Sequence, residues 1–226
     1  MSEQKKIAVF GGGSWATAIV KMLTENTDTI GWYMRNQQAI EHIKENNHNP
    51  KYLPSAELDA KKLDLTSDIN YTVENYDVLI FVIPSAFLMT ELKKINSSLE
   101  GKIIFSAIKG IVPETGLIIG EHFNQKHNIP LENIGVITGP CHAEEVAMER
   151  LSYLTIACQD NEKAEFIGNS LKSWYIKTKI SDDIIGTEYA AMLKNIYAVA
   201  AGIAHGLGYG DNFQAVLMSN GIREMK

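Results

Sequence analysis

The chain contains little cysteine, which excludes several kinds of site. Its 226 residues include two cysteines, Cys141 and Cys158, and these lack the C-x-x-C spacing of structural zinc sites and dithiol redox motifs. Isolated cysteines are typical of proteins kept in a reducing compartment. The sequence therefore predicts a cytoplasmic protein without a metal site.

Long apolar runs and excess basic charge are also missing. The apolar stretch at 196–204 is far shorter than the ~20 residues that cross a bilayer, and residues 1–10 lack the apolar core of a signal peptide. Lys and Arg total 21 against 27 Asp and Glu, a formal net charge of -6. We expect no membrane span and no nucleic-acid partner, although local cations and helix N-termini can still bind a small anion.

Short apolar runs alternate with helix-compatible segments over the first two thirds of the chain, which is typical of a parallel sheet covered on both faces. The sequence predicts an α/β fold: a Rossmann-like, mostly parallel sheet in residues 1–182, then the beginning of an all-α C-terminal domain in 183–226. The last two runs are predicted to close the sheet, with antiparallel pairing as one option. The predicted strands are 7–10, 29–34, 63–66, 78–82, 102–105, 134–137, 154–157 and 174–179.

One strong cation, Lys194, interrupts a small-residue apolar run predicted to form a helix over 183–205. Burial disfavours a charged ammonium, so we expect a lowered pKa and a role in proton transfer. The alternative is a lysine whose charged end reaches solvent from a buried helix. Asn195 projects about 100° away around the helix and can serve the same pocket.

A second helix is predicted after the glycines that follow the first. Gly206, Gly208 and Gly210 end the lysine-bearing helix, and Asp211 or Asn212 is expected to cap a helix over 213–225.

A glycine motif follows the first predicted strand. In the pattern GxGxxA, Gly11 permits a tight turn, Gly13 lets the backbone approach a pyrophosphate, and Ala16 allows close packing of helix on strand. Its position between a strand and a helix favours dinucleotide binding over an ordinary glycine turn. The second strand is followed by Arg35, where NAD-binding folds carry an acidic residue, so we expect NADP(H), with a simple surface arginine as the alternative.

Three loops at the carboxyl ends of later strands carry polar groups, and ligands collect at such ends. Lys109 can reach an anionic cofactor or substrate, or can simply be solvated. Gly139, Pro140 and Cys141 precede a predicted helix, so backbone N–H groups there can hold a substrate oxygen. Cys141 has no evident base and is expected to form a pocket wall. His142 and His205 are more readily explained as structural.

Taken together, GGGSWATA, IPSAF, SAIKGI, TGPCHAEEVA and YAAMLKNIYAVAAGIAHGLGYGDN resemble the bacterial type of NAD(P)-dependent glycerol-3-phosphate dehydrogenase. The resemblance implies reversible reduction of dihydroxyacetone phosphate by NADPH or NADH, giving sn-glycerol 3-phosphate for phospholipid synthesis. It implies that Lys194 donates or accepts the proton. Matching cofactor positions are Ser14, Trp15, Arg35, Lys109 and Ala143, beside Gly11 and Gly13; substrate positions are Lys109, Gly139, Cys141 and Lys194, with Asn195 adjacent.

The sequence departs from this family at its end, because the family continues through further helices that orient the lysine and hold the substrate phosphate. We therefore expect a truncated helical domain, cofactor binding with weak or absent catalysis, and exposed apolar helix faces that need a partner, such as a homodimer. Two alternatives stay open: a related dehydrogenase acting on another small acid or ketone, and a non-catalytic dinucleotide-binding or sensing protein.

Overall fold

A computed structural model describes residues 5–225 of the chain. Apolar residues dominate its first strands, which are buried along their whole length. The strands found in the described residues are β1 (Ile7–Phe10), β2 (Ile30–Tyr33), β3 (Leu63–Thr66), β4 (Val78–Phe81), β5 (Ile103–Ser106), β6 (Ile134–Thr138), β7 (Ser152–Cys158) and β8 (Ile176–Ser181).

These strands form one sheet in the order β3-β2-β1-β4-β5-β6-β7-β8. The strands β1 to β6 are all parallel to one another, β7 is antiparallel to β6, and β8 is parallel to β7. The chain runs outward from β1 in one direction to β3 and then returns to place β4 on the other side of β1. In sheets of this kind, ligands bind where the strand order reverses, at the carboxyl ends of the strands.

Helices cover both faces of the sheet. They are α1 (Ser14–Thr24), α2 (Gln37–Asn46), α3 (Ile69–Asn75), α4 (Ser85–Leu92), α5 (Ile119–His127), α6 (Ala143–Ala147), α7 (Asn161–Leu171), α8 (Ile184–Gly206) and α9 (Asp211–Met225), with short 3₁₀ turns at Ala60–Lys62 and Leu131–Asn133.

Alternation along each strand divides the core between two faces. In β1, Ile7 and Val9 pack into a cluster with α1, α2, α6 and α7, whereas Ala8 and Phe10 pack into a second cluster with α3, α4 and α5. Neighbouring side chains of a strand point to opposite faces, so a strand buried on both faces must be apolar at every position. The predicted α/β architecture is confirmed.

Each predicted strand is present, with ends within two residues of the observed ones. The predicted option of antiparallel closure holds for β7 against β6 but not for β8 against β7. Trp174, predicted to begin the last strand, lies before β8 and is 71% exposed.

The last two helices form a hairpin. The helix α8 begins and ends within about one residue of its prediction, and Gly208 adopts a positive φ of 83° after its end. The predicted N-cap of α9 is wrong: Asp211 lies inside the helix, because the carbonyl of Gly210 already accepts hydrogen bonds from the N–H groups of Phe213 and Gln214.

Candidate functional site

A cavity of about 910 Å³ opens at the carboxyl ends of β1, β2, β4 and β5. This is where the strand order reverses between β1 and β4. Among the residues predicted to bind a cofactor, those that line it are Gly11, Gly13, Ser14, Trp15, Arg35 and Lys109.

The glycine loop is shaped to leave one side of the cavity open. Gly11 has a φ of 133°, and a Cβ there would lie 2.3 Å from the carbonyl oxygen of Val82, so only glycine fits. At Gly13, in contrast, a Cβ would meet nothing within 4 Å. The indole N–H of Trp32, on β2, donates to the carbonyl of Gly11 at 2.6 Å and holds the glycine loop to that strand.

The helix α1 begins directly after this loop, with Gly13 as its N-cap and no acidic residue in its first turn. The first N–H groups of a helix have no acceptor within the helix, and the helix dipole places partial positive charge there. The open side of Gly13 and this N-terminus together fit a phosphate group, as the dinucleotide motif predicts.

A loop that lies outside the sequence motifs forms another wall of the cavity. Tyr52 and Lys51 lie in the irregular connection between α2 and β3 and line the cavity. Asn49, which is 1% exposed, holds this connection in place. Its amide nitrogen donates to the carbonyl of Gly12 and to the hydroxyl of Thr17, and its oxygen accepts from the N–H groups of Lys51 and Tyr52.

Arg35 lies just after β2, at the edge of the cavity. Its guanidinium lies 5.8 Å from the centre of the Phe87 ring, and one nitrogen is 3.5 Å from a carboxylate oxygen of Glu91. The side chain is 60% exposed, so it can still bind an anion in the cavity.

Lys109 connects the cavity to the helical hairpin. It lines the cavity from the loop after β5, and Lys194 approaches it from α8. Burial of its ammonium group and the neighbouring charge of Lys194 lower the pKa of Lys109. Neither lysine forms a salt bridge within residues 5–225. Two close cations without a carboxylate partner favour an anionic ligand between them.

Lys194 itself is half-buried, less enclosed than its apolar neighbours in the sequence suggest. The successive turns of α8 beyond Ala191 have many exposed side chains, including the adjacent Asn195. The structure therefore encloses Lys194 only in part, and burial lowers the pKa of Lys109 beside it.

Cys141 faces both lysines from the loop after β6. Its thiol donates to the carbonyl of Tyr153 at 2.9 Å, and burial raises its pKa. A thiol held in this way is a poor nucleophile. Cys141 does not line the 910 Å³ cavity, so its role as a pocket wall stays a prediction. Two residues before Cys141, only glycine fits at position 139, because a Cβ on Gly139 would lie 2.2 Å from the carbonyl oxygen of Tyr153.

Other predicted residues lie farther from the cavity. Ala143 is 8% exposed and packs in the core rather than lining the cavity. Asn195 and the two histidines of the sequence analysis, His142 and His205, are exposed and do not line the cavity either. Their roles stay predictions.

A buried carboxyl group anchors the beginning of α8. Glu188 is 6% exposed, and one of its oxygens accepts the N–H of Gly120 in the first turn of α5 at 2.9 Å. Its other oxygen is buried without a hydrogen-bond partner. Burial raises the pKa of Glu188 from 4.5 to about 7. The helix that carries Lys194 is therefore attached to α5 through a carboxyl group whose pKa lies near neutral.

Metal clusters and membrane-spanning helices are both absent from the described part of the chain. Residues 5–225 hold no cluster of three or more His, Cys, Asp or Glu side chains that fits a metal ion. No helix in that range is both long enough and apolar enough to span a membrane.

Two family models match the chain. The model of the NAD-dependent glycerol-3-phosphate dehydrogenase N-terminus matches residues 6–164, and the model of the C-terminus of the same enzyme matches residues 183–226.

Individual relatives agree with the family models. A glycerol-3-phosphate dehydrogenase [NAD(P)+] of Bacillus pumilus is 35% identical over 98% of this chain, and one of an Exiguobacterium species is 36% identical over 97%. The solved structure of Plasmodium falciparum glycerol-3-phosphate dehydrogenase superposes with a TM-score of 0.87 at 26% identity, covering 98% of this chain and 64% of that one. The chain spans 64% of the length of the two curated relatives.

Proposed function

Because the chain belongs to the NAD-dependent glycerol-3-phosphate dehydrogenase family, we propose that it binds NADP(H) or NAD(H) and reversibly reduces dihydroxyacetone phosphate to sn-glycerol 3-phosphate. The observation that carries this proposal is the approach of Lys194 to Lys109, which lines the cavity, without a salt bridge from either lysine to a carboxylate among residues 5–225. A phosphorylated ketone is a substrate that such a pair of cations can hold and protonate.

The cofactor is proposed to occupy the 910 Å³ cavity. Its pyrophosphate would rest on Gly13, Ser14 and Trp15 at the N-terminus of α1, where backbone N–H groups are directed outward. Arg35 would meet the ribose end and Lys109 the nicotinamide end. When bound, the cofactor supplies the hydride.

The protein's own contribution is proposed to be proton transfer and charge stabilisation. As negative charge develops on the substrate oxygen, the ammonium of Lys194 donates a hydrogen bond and then a proton to that oxygen. In the oxidative direction its neutral amine takes the hydroxyl proton. Lys109 is proposed to hold the substrate in position. A bound anion would offset the burial and the repulsion by Lys194 that lower the pKa of Lys109.

Gly139 and Cys141 are proposed to border the substrate, and Ala143 to contribute to the cofactor site through its backbone. Support for Cys141 comes from its closeness to both lysines. Asn195 is proposed to reach the substrate only after a change of position, because it is exposed here.

We also propose the division into a dinucleotide-binding unit at 1–182 and a helical unit at 183–226. The separate family matches at 6–164 and 183–226 support it. Homodimer formation, a cytoplasmic location and a role in phospholipid synthesis remain predictions. A dimer would form most readily on the exposed apolar side chains of α8 and α9, which include Ile196, Val199, Ile203, Val216 and Ile222; analytical ultracentrifugation tests it.

Binding and chemistry are tested separately. Titration of the chain with NADPH while following the fluorescence of Trp15 should show saturable binding. Dihydroxyacetone phosphate is then added with protein in excess over NADPH, so that a single slow conversion is measurable. We expect NADPH consumption in the wild-type chain and none in Lys194→Met, with binding of NADPH retained in both.

Lys177→Met serves as the matched control, because Lys177 is an exposed lysine on β8. It should consume NADPH at the wild-type rate. Saturable binding without consumption in any variant would favour the non-catalytic alternative, and absence of binding would contradict the proposal as a whole.

A further inference from the structure

A buried carboxylate lies beside the cavity, and the proposed function does not account for it. Glu91, on α4, is 1% exposed and lines the cavity next to Arg35. The hydroxyl of Tyr33 donates to one of its oxygens at 2.7 Å, and the ammonium of Lys94 donates to both oxygens at 2.9 and 3.0 Å. A carboxylate removed from water needs such partners to remain charged. Tyr33 and Lys94 already satisfy it.

The contact with Arg35 is of a different kind. At 3.5 Å it is longer than the contacts with Lys94, and the guanidinium is largely exposed above Phe87. Glu91 therefore attracts Arg35, but the guanidinium stays available to bind another anion. Burial leaves the charge of Glu91 less screened than a surface charge, so Arg35 and anything bound to Arg35 experience it.

We propose that Glu91 and Lys94 determine, through Arg35, the choice between NADP(H) and NAD(H). This inference rests on the proposed function, since it presumes that a nicotinamide dinucleotide occupies the cavity. Arg35 lies after β2, where such folds distinguish a ribose 2'-phosphate from a 2'-hydroxyl. The two cations and one carboxylate leave one net positive charge there, which favours the phosphate.

The arrangement makes two predictions of opposite sign. Glu91→Gln removes the negative charge and frees Arg35, so the affinity for NADPH should rise relative to that for NADH. Lys94→Gln leaves Glu91 with Arg35 as its cationic partner in the cluster, so the relative affinity for NADPH should fall. For one charge acting near the protein surface, the expected change is roughly three- to tenfold in each direction.

The experiment is a titration of each variant with NADPH and NADH at low ionic strength, followed by tryptophan fluorescence. The quantity compared is the ratio of the two dissociation constants. Lys93→Gln is the matched control, because Lys93 neighbours Lys94 on the chain, is exposed, and forms no salt bridge in the described range. It carries the same change in net charge and should alter the ratio less than twofold.

Folding is checked by thermal melting, because Glu91 is buried. If Glu91→Gln does not fold, the pair Lys94→Gln and Lys93→Gln decides, since both replaced lysines are exposed. Suppose that the wild-type chain binds both dinucleotides, but that Lys94→Gln and Lys93→Gln have the same ratio of NADPH to NADH dissociation constants. This result would overturn the present inference and leave the proposed function standing. Failure of the wild-type chain to bind either dinucleotide would overturn both.

Discussion

Replacing Glu188 by glutamine should stabilise the protein above neutral pH, and the stabilisation should be smaller at acidic pH. Its carboxyl group is 6% exposed, and one oxygen has no hydrogen-bond partner, so ionisation places a charge where water does not reach. The N–H of Gly120 stabilises the other oxygen only in part. Glutamine keeps an oxygen that accepts this hydrogen bond and removes the ability to ionise.

The magnitude follows from the pKa of Glu188, which burial raises from 4.5 to about 7. Because the folded protein holds this proton more tightly than the unfolded chain does, wild-type stability falls as the pH rises from 4.5 to about 7. At about 1.4 kcal/mol for each pH unit, the full cost of ionisation above pH 7 is about 3 kcal/mol. Below pH 4.5 the group is neutral in both states and the cost vanishes.

The assay is urea denaturation of wild type and Glu188→Gln at pH 5.5 and pH 8. We expect the difference in free energy of unfolding between the two proteins to grow by about 2 kcal/mol in favour of the variant between these pH values. Glu165→Gln on α7 is the matched control, since Glu165 is exposed, and it should change stability by less than about 0.5 kcal/mol.

Two results would refute the reasoning about Glu188. Parallel stability curves for wild type and variant would show that this carboxyl does not titrate differently in the folded protein. A variant that becomes less stable than wild type as the pH rises would show that the ionised carboxylate is stabilised, with a cationic partner in place of apolar surroundings.

Four further predictions concern the site. Lys194→Ala should abolish reduction of dihydroxyacetone phosphate while changing the NADPH dissociation constant less than twofold; wild-type conversion by this variant would remove Lys194 from its role. Lys109→Met should weaken NADPH binding about tenfold by calorimetry, because it removes a cation that lines the cavity. Asn49→Ala should cost about 2 kcal/mol in urea denaturation, because its hydrogen bonds fix the loop that carries Tyr52. Cys141 should react with iodoacetamide at pH 8 more slowly than a free thiol, because burial raises its pKa; equal rates, followed by mass spectrometry, would contradict this.

The architecture was predictable because its signals are local. A strand buried on both faces is apolar at nearly every position, and β1, β2 and β4 show this directly in the sequence. Gly11 is predictable for the same reason: the turn after β1 requires a positive φ and leaves no room for a Cβ. The start of α9 was misplaced because helix ends depend on single hydrogen bonds, here to the carbonyl of Gly210.

Several parts of the site depend on contacts between distant residues, and no local pattern reveals them. Tyr52 reaches the cavity only because Asn49, in an irregular loop, bonds to the glycine loop. In the sequence Glu91 resembles any polar residue near the end of a helix, and its burial becomes visible only when Tyr33 and Lys94 are seen around it. A buried acid followed by two lysines, here Lys93 and Lys94, is not distinguishable from a solvated one by composition.

Lys194 is less enclosed than its apolar neighbours in the sequence predict. An apolar sequence around a lysine predicts desolvation only if the helix is surrounded, and α8 packs on the sheet mainly through its first turns, around Ile184, Glu188 and Ala191. The two lysines nevertheless lie close together. Burial is the main cause of the lowered pKa of Lys109, and the positive charge of Lys194 is the second cause. Loss of the second cation should therefore raise the pKa of Lys109. NMR titration of the Lys109 side chain in Lys194→Met measures this directly, and an unchanged or lower value would mean that the two ammonium groups do not share one anion site.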